Sequence, residues 1–153
     1  MLKACHQRML DLCDLLERMC DYQVKQGVDQ AMTESARKVL RYFEIAAPHH
    51  HADEEENLFP PLRKIPTLHA LLEKLTRDHQ QHDSLWQDLK PCLQRIESGQ
   101  SCSSLSVQTK AFVNAYRPHI KIENEQVLPQ ANQHLNAEEL SIIGQAMAAR
   151  RKN

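Results

Sequence analysis

Two copies of the pattern His-x-x-x-Glu stand out in this chain, at His50–Glu54 and His119–Glu123. Each copy lies in an apolar stripe with helical spacing, and a proline follows each histidine at the same offset, at Pro60 and Pro129. Four residues make about one helical turn, so the histidine and glutamate of each pair point the same way. Burying an unpaired carboxylate is costly, and a bound metal ion removes that cost. Two such pairs on two helices therefore predict a site for two ions.

Further histidines fall on the inward stripes of the other two long predicted helices. His6 lies near the start of the first helix, and His79 and His82 lie on the third. A single histidine on an apolar stripe is more often a core residue than a ligand, and a single His-x-x-x-Glu pair is common on helix surfaces. Two pairs together with inward histidines on the remaining helices favour a metal site. Imidazole and carboxylate ligands suit iron, manganese and zinc, and their spacing does not choose among these metals.

The composition favours an all-helical protein. The 153 residues fit one domain, over 1–153, and the chain has only 3 glycines, whereas strand-rich folds need more glycine for their turns. A formal net charge of −1 argues against a nucleic-acid surface. No apolar run reaches membrane-spanning length and no signal peptide is recognisable, so we expect a cytoplasmic protein without a membrane partner. No outer apolar stripe indicates an oligomer or a protein partner.

The hydrophobic periodicity predicts four long amphipathic helices and a short fifth one. We expect an up-down-up-down four-helix bundle, because the connections between the long helices are short. Pro48 should kink the second helix, and Asn136 with Glu139 should form a capping box at the start of the fifth. The predicted helices span roughly 2–24, 30–57, 67–98, 107–131 and a final stretch from 136.

The five cysteines form neither a CxxC motif nor an even set. This pattern favours reduced thiols over a disulfide framework or a cysteine-bound zinc. Cys13 and Cys20 lie on the apolar stripe of the first helix, which predicts inert packing. Cys5 and Cys102 are the better candidates for exposed thiols.

Several stretches closely resemble the hemerythrin-like (HHE cation-binding) family, in its bacterial single-domain type. They are ACHQRMLDLCDLLERM at 4–19, HHADEEENLFP at 50–60, DHQQHDSLW at 78–86 and HIKIENEQVLP at 119–129. The resemblance covers nearly the whole chain and implies a four-helix bundle that holds two non-haem iron ions with an oxo or hydroxo bridge. The two glutamates would bridge the irons and the histidines would cap them. The ligands that the resemblance implies are His6, His50, Glu54, His79, His119 and Glu123.

Two alternatives within these motifs stay open at the level of sequence. The oxygen carriers of the family have a further histidine one turn along the third helix, where this chain has Asp83. His82, on the same stripe, is therefore a candidate seventh ligand. His51 and Glu55 offer a second register of the first motif, but His50–Glu54 keeps the offset to proline found in the second copy.

The resemblance also implies a function, namely binding or sensing of oxygen or nitric oxide, or of iron or redox status, at an open coordination position. Tyr116, one turn before His119, could reach such a molecule, although packing in the core is the more common role. The chain has no nucleophile arrangement and no glycine-rich nucleotide loop, so a binding or sensing protein is favoured over an enzyme. The alternatives are turnover of peroxide or nitric oxide, iron donation for iron–sulfur repair, and a metal-stabilised interaction module with a basic fifth helix.

Overall fold

The protein is all-helical, as predicted, and a computed structural model describes its residues 1–152, which contain no strand. The helices join into five continuous helical runs. The first, third and last runs each contain one α-helix, the second run contains three α-helices and the fourth contains two. In chain order the helices are α1 (Leu2–Gln26), α2 (Gln30–Arg41), α3 (Ala47–Ala52), α4 (Phe59–Leu62), α5 (His69–Glu97), α6 (Leu105–Ile122), α7 (Leu128–His134) and α8 (Ala137–Arg150).

Three π-helical segments interrupt the second and fourth runs, and each is followed by a helix with proline in its first turn. The prolines are Pro48, Pro60 and Pro129. A proline ring clashes with the carbonyl four residues earlier, and in each case that carbonyl belongs to the wider turn of a π segment. The second run therefore continues past Pro48 and past its predicted end at 57, to Leu62. The π segments are Tyr42–Ala46, Asp53–Leu58 and Glu123–Val127.

The four long runs form a helical bundle, in which the first and the third each contact the second and the fourth. Two apolar clusters fill the interior. One is built on residues such as Leu16, Phe43 and Phe112, and the other on residues such as Phe59 and Leu72. The prediction of four helices plus one is met only in outline, because two of the predicted long helices are divided by π segments.

The last helix begins as the sequence predicts. The Asn136 side-chain oxygen accepts a hydrogen bond from the Glu139 backbone N–H, and the Glu139 carboxylate accepts one from the Asn136 N–H, both at 2.9 Å. The capping box is thus confirmed. None of the helices in the described part of the chain combines the length and the apolar character needed to cross a bilayer.

The expectation of five reduced thiols is wrong for two of the cysteines. Cys92 near the end of α5 and Cys102 in the loop before α6 form a disulfide, and Cys102 is buried rather than exposed. Gln23 of α1 holds the backbone N–H and carbonyl of Cys102 through two hydrogen bonds, of 2.9 and 3.0 Å. The position of Cys102 thus depends on contacts with another helix. For this reason the spacing of the cysteines in the sequence did not predict the Cys92–Cys102 disulfide. The free cysteines are Cys5, Cys13 and Cys20.

Candidate metal centre

Six polar side chains meet inside the bundle, and each is at most 3% exposed to solvent. They come from all four long runs. Along the second, third and fourth runs they lie between residues of the two apolar clusters. The centre is therefore a polar layer between two apolar layers, shielded from water. These side chains are the six that the sequence analysis selected: His6, His50, Glu54, His79, His119 and Glu123.

The two His-x-x-x-Glu pairs each span a junction between an α-helix and a π segment, since both glutamates lie in π segments. The His50 Nε2 atom lies 3.1 Å from Glu54 Oε1, and the His119 Nε2 atom lies 3.0 Å from Glu123 Oε1. The expected common direction of each pair is confirmed. Turns of π-helix are frequent at functional sites, although the helical periodicity of the sequence did not predict them here.

The atoms that could bind a metal form two groups that share both glutamates, and within each group all of them lie within 4.8 Å of one another. In the first group the two imidazole Nε2 atoms are 3.1 Å apart, and in the second they are 3.2 Å apart. Atoms that bind one ion at about 2.1 Å and at right angles lie about 3 Å from each other. The spacing therefore fits ligands of a common ion. The groups are His6, His50, Glu54 and Glu123, and Glu54, His79, His119 and Glu123.

Three of the four imidazoles are oriented by an oxygen at their outer nitrogen, Nδ1. A carboxylate or amide oxygen only accepts, so Nδ1 donates and Nε2 is the nitrogen that faces the centre, where a metal-bound histidine would offer its lone pair. Each partner comes from a different run than its histidine, and for this reason helical spacing along the sequence did not reveal these partners. The pairs are His6 with Asn124 at 2.7 Å, His79 with Glu55 at 2.6 Å and His119 with Asp78 at 3.3 Å.

The centre also demands positive charge. Glu54 and Glu123 are buried carboxylates that face imidazole nitrogens, with His79 Nε2 at 3.2 Å from Glu54 Oε2 and His6 Nε2 at 3.1 Å from Glu123 Oε2, and a buried carboxylate is costly without a compensating charge. Burial opposes a charge on His6, yet its contacts with Glu123 and Glu54 outweigh burial and raise the pKa of His6 to about 10. Burial also opposes a charge on His79, and the same two carboxylates raise its pKa to about 10. Carboxylates that stabilise the positive charge of two buried imidazoles can stabilise a bound cation in the same place.

His82 is buried beside the centre but lies outside both ligand groups. Its ring stacks on Tyr116, with centroids 4.0 Å apart, and meets the ring of His119 edge-on at 4.6 Å. Neither of its ring nitrogens has a hydrogen-bond partner in the described part of the chain. Burial, together with the nearby His119 and His79, lowers the pKa of His82 to about 3. The structure thus holds His82 as a neutral imidazole against the candidate ligands.

The alternative register, His51 with Glu55, contacts the centre without joining either group. The ring of His51 stacks on that of His79, with centroids 4.1 Å apart and planes at 10°, and Glu55 accepts the hydrogen bond described above. The structure therefore places His50 and Glu54 in the groups that could bind a metal, whereas His51 and Glu55 contact the ring of His79. Two other histidines, His69 and His134, are exposed.

A small cavity of about 110 Å³ lies beside these rings. Phe43, Ala47 and Trp86 supply apolar walls, and His51 and Tyr116 line the cavity as well. One water molecule takes up about 30 Å³ in the liquid. The cavity therefore has room for a few waters or for a small molecule such as a diatomic.

A helical bundle with a buried set of imidazole and carboxylate donors defines a class of metal-binding proteins. The family model of the hemerythrin HHE cation binding domain matches residues 1–131. A protein of Haemophilus influenzae (strain ATCC 51907 / DSM 11121 / KW20 / Rd), described as uncharacterized, is 33% identical over an alignment of 153 residues that covers 99% of this chain and 88% of that protein. The chain therefore belongs to the hemerythrin HHE cation-binding domain family, which confirms the resemblance seen in the sequence. Helix α8 lies beyond the matched residues.

Proposed function

We propose that this protein holds two non-haem iron ions in the candidate centre and binds or senses a small diatomic molecule, oxygen or nitric oxide. The proposal rests on one observation, the sharing of Glu54 and Glu123 between two groups of four ligand residues. Each group would hold one ion, and the shared glutamates would bridge the pair. Bound iron would supply the electrons and the open coordination position that reversible binding of a diatomic requires.

The surroundings of the centre support the binding of a small molecule. The apolar clusters exclude water, and the 110 Å³ cavity beside His51 and Tyr116 has room for a diatomic molecule. Tyr116, which lines the cavity, keeps its proton because burial raises its pKa well above 10. Its hydroxyl can therefore donate a hydrogen bond to a small molecule there.

The alternative of an interaction module with a basic last helix has less support. Arg150 and Arg151 at the end of α8 bind the carboxylates of Asp53 and Glu56 in the same chain. These cations are therefore already paired and do not offer a free basic surface to a partner.

We also propose that the four long runs follow an up-down-up-down order. An up-down-up-down order is supported by the contact of His6, near the start of the first run, with His50 in the later half of the second. The turn between these runs comprises only residues 27–29, and so short a connection favours antiparallel neighbours. A single domain over 1–153 and a cytoplasmic location remain predictions.

The first experiment is metal analysis of anaerobically purified protein together with its optical spectrum before and after oxygen is added. About two irons per chain, with absorption bands of a bridged diferric pair that grow after oxygenation, would support the proposal. Zinc or no metal, with an unchanged spectrum, would contradict it. Multiple turnover of added hydrogen peroxide or nitric oxide would favour the enzyme alternative over binding or sensing.

A further inference from the structure

The last helix, α8, packs against the π segment that contains the shared Glu54. Its buried face contacts the π segment Asp53–Leu58, and Met147 is buried. Asp53, which immediately precedes Glu54, is fully buried at 0% exposure. A buried carboxylate needs compensating charge, and here two arginines at the end of α8 supply it.

Each of the two arginines binds one oxygen of the Asp53 carboxylate. Arg150 donates to its Oδ1 atom, and Arg151 donates to its Oδ2 atom at 2.5 Å. Arg150 also donates to Asn57 Oδ1 at 3.0 Å and to Glu56 Oε2 at 2.5 Å. One guanidinium thus binds three side chains of the π segment that contains Glu54.

Arg151 also contacts the residue next to a second candidate ligand. Its Nη2 atom, which binds Asp53, also lies 4.0 Å from the Sγ atom of Cys5, and Cys5 immediately precedes His6. The guanidinium therefore joins the residue before Glu54 to the residue before His6. Among the hydrogen bonds within residues 1–152, none joins either arginine to a neighbour of His79 or His119.

We propose that Arg150 and Arg151 are positioning residues for the centre and act more strongly on the half built on His6 and His50. Docking of α8 would affect both ions through the shared Glu54, and the ion held by His6 more strongly, because the backbones of two residues of that group are joined to α8. This inference rests on the proposed two-ion centre. The physical reason is that metal ligands need placement within about 0.5 Å, and the backbones that carry two of them are joined through α8. Loss of groups that orient ligands typically lowers metal affinity about 10–100-fold.

The test uses two backgrounds, each with one half of the centre disabled. His119→Ala leaves the four residues of the first group, and His6→Ala leaves those of the second. Arg151→Ala is added to each, and binding of ferrous iron is measured by anaerobic equilibrium dialysis. We expect an affinity about 10–100-fold lower with His119→Ala, and a clearly smaller loss, transmitted through the shared Glu54, with His6→Ala. Arg37→Ala, which removes an ion pair with Glu97 between other parts of the bundle, is the matched control and should be silent in both.

Equal weakening in both backgrounds, or none in either, would overturn the inference, because a general loss of stability or an unimportant contact would then explain the result. Asp53→Asn keeps the side-chain shape and should show the same asymmetry, which guards against misfolding of the arginine variant. Amide hydrogen exchange should show that α8 of the Arg151→Ala chain opens more often than in the parent. If the unmodified protein binds fewer than two irons, the proposed two-ion centre fails and this inference fails with it. Two irons in that protein with a symmetric effect of Arg151→Ala would overturn the inference alone.

Discussion

The sharing of glutamates predicts a difference between two single substitutions. His119 belongs to one ligand group, whereas Glu54 belongs to both. His119→Ala leaves one group with four protein ligands and the other with three, while Glu54→Gln leaves both groups with three. A site that loses one of its four protein donors binds its ion more weakly. Retained iron should therefore fall from about two ions per chain to about one in His119→Ala, and to about zero in Glu54→Gln.

The measurement is iron content after anaerobic reconstitution with ferrous iron and dialysis against a weak chelator, with helical content checked by circular dichroism. Glutamine has the shape of glutamate, so its effect reports the lost charge and ligand oxygen rather than a cavity. His69→Ala is the control, because His69 is exposed and its ring hydrogen-bonds to the backbone carbonyl of Arg63. Equal iron content in His119→Ala and Glu54→Gln would refute the sharing. Loss of iron in His69→Ala would show that metal content does not report on the centre.

Three further predictions concern the surroundings of the centre and the fold. Glu55→Gln weakens the acceptor at the outer nitrogen of His79 and should lower iron affinity about 10–100-fold in dialysis. Glu73→Gln, at an exposed residue, is the control and should leave the affinity unchanged. Equal affinities of the two variants would show that Glu55 does not support the centre. Because Cys92 and Cys102 form a disulfide, a thiol reagent should titrate the three free cysteines of the unfolded chain, and all five only after reduction; five without reductant would disprove the bond. Phe112→Ala, at a residue with 0% exposure, should cost about 3–5 kcal/mol of unfolding free energy in urea denaturation, and a loss below about 1 kcal/mol would contradict its place in the core.

The sequence was sufficient for the helices and for the inward side chains of the centre. Helical periodicity reports which residues share a face, and a histidine and a glutamate four residues apart remain neighbours wherever the helix packs. For the same reason the capping box at Asn136 was predictable, since all of its atoms lie within one turn. Paired motifs and proline offsets also gave the choice of His50 and Glu54 over the next register, which agrees with the residues that the structure groups.

Only the tertiary structure decided which residues support the centre. The partners at the outer imidazole nitrogens, such as Asn124 for His6, come from another helical run, and periodicity says nothing about how two helices are rotated and shifted against each other. The same limit applies to His82, whose inward position was predictable. Its stacking on Tyr116, outside the ligand groups, depends on the distance and rotation of the fourth run.

The burial of Asp53 shows the difference most plainly. By sequence it is one of several acidic residues beside Glu54, and nothing local separates it from exposed Glu56. It is buried because α8 returns from the far end of the chain and places Arg150 and Arg151 on its carboxylate. A charge can be buried only where opposite charge arrives, so local sequence determined the inward donors of the centre, and long-range packing decided which neighbouring charges could be buried beside them.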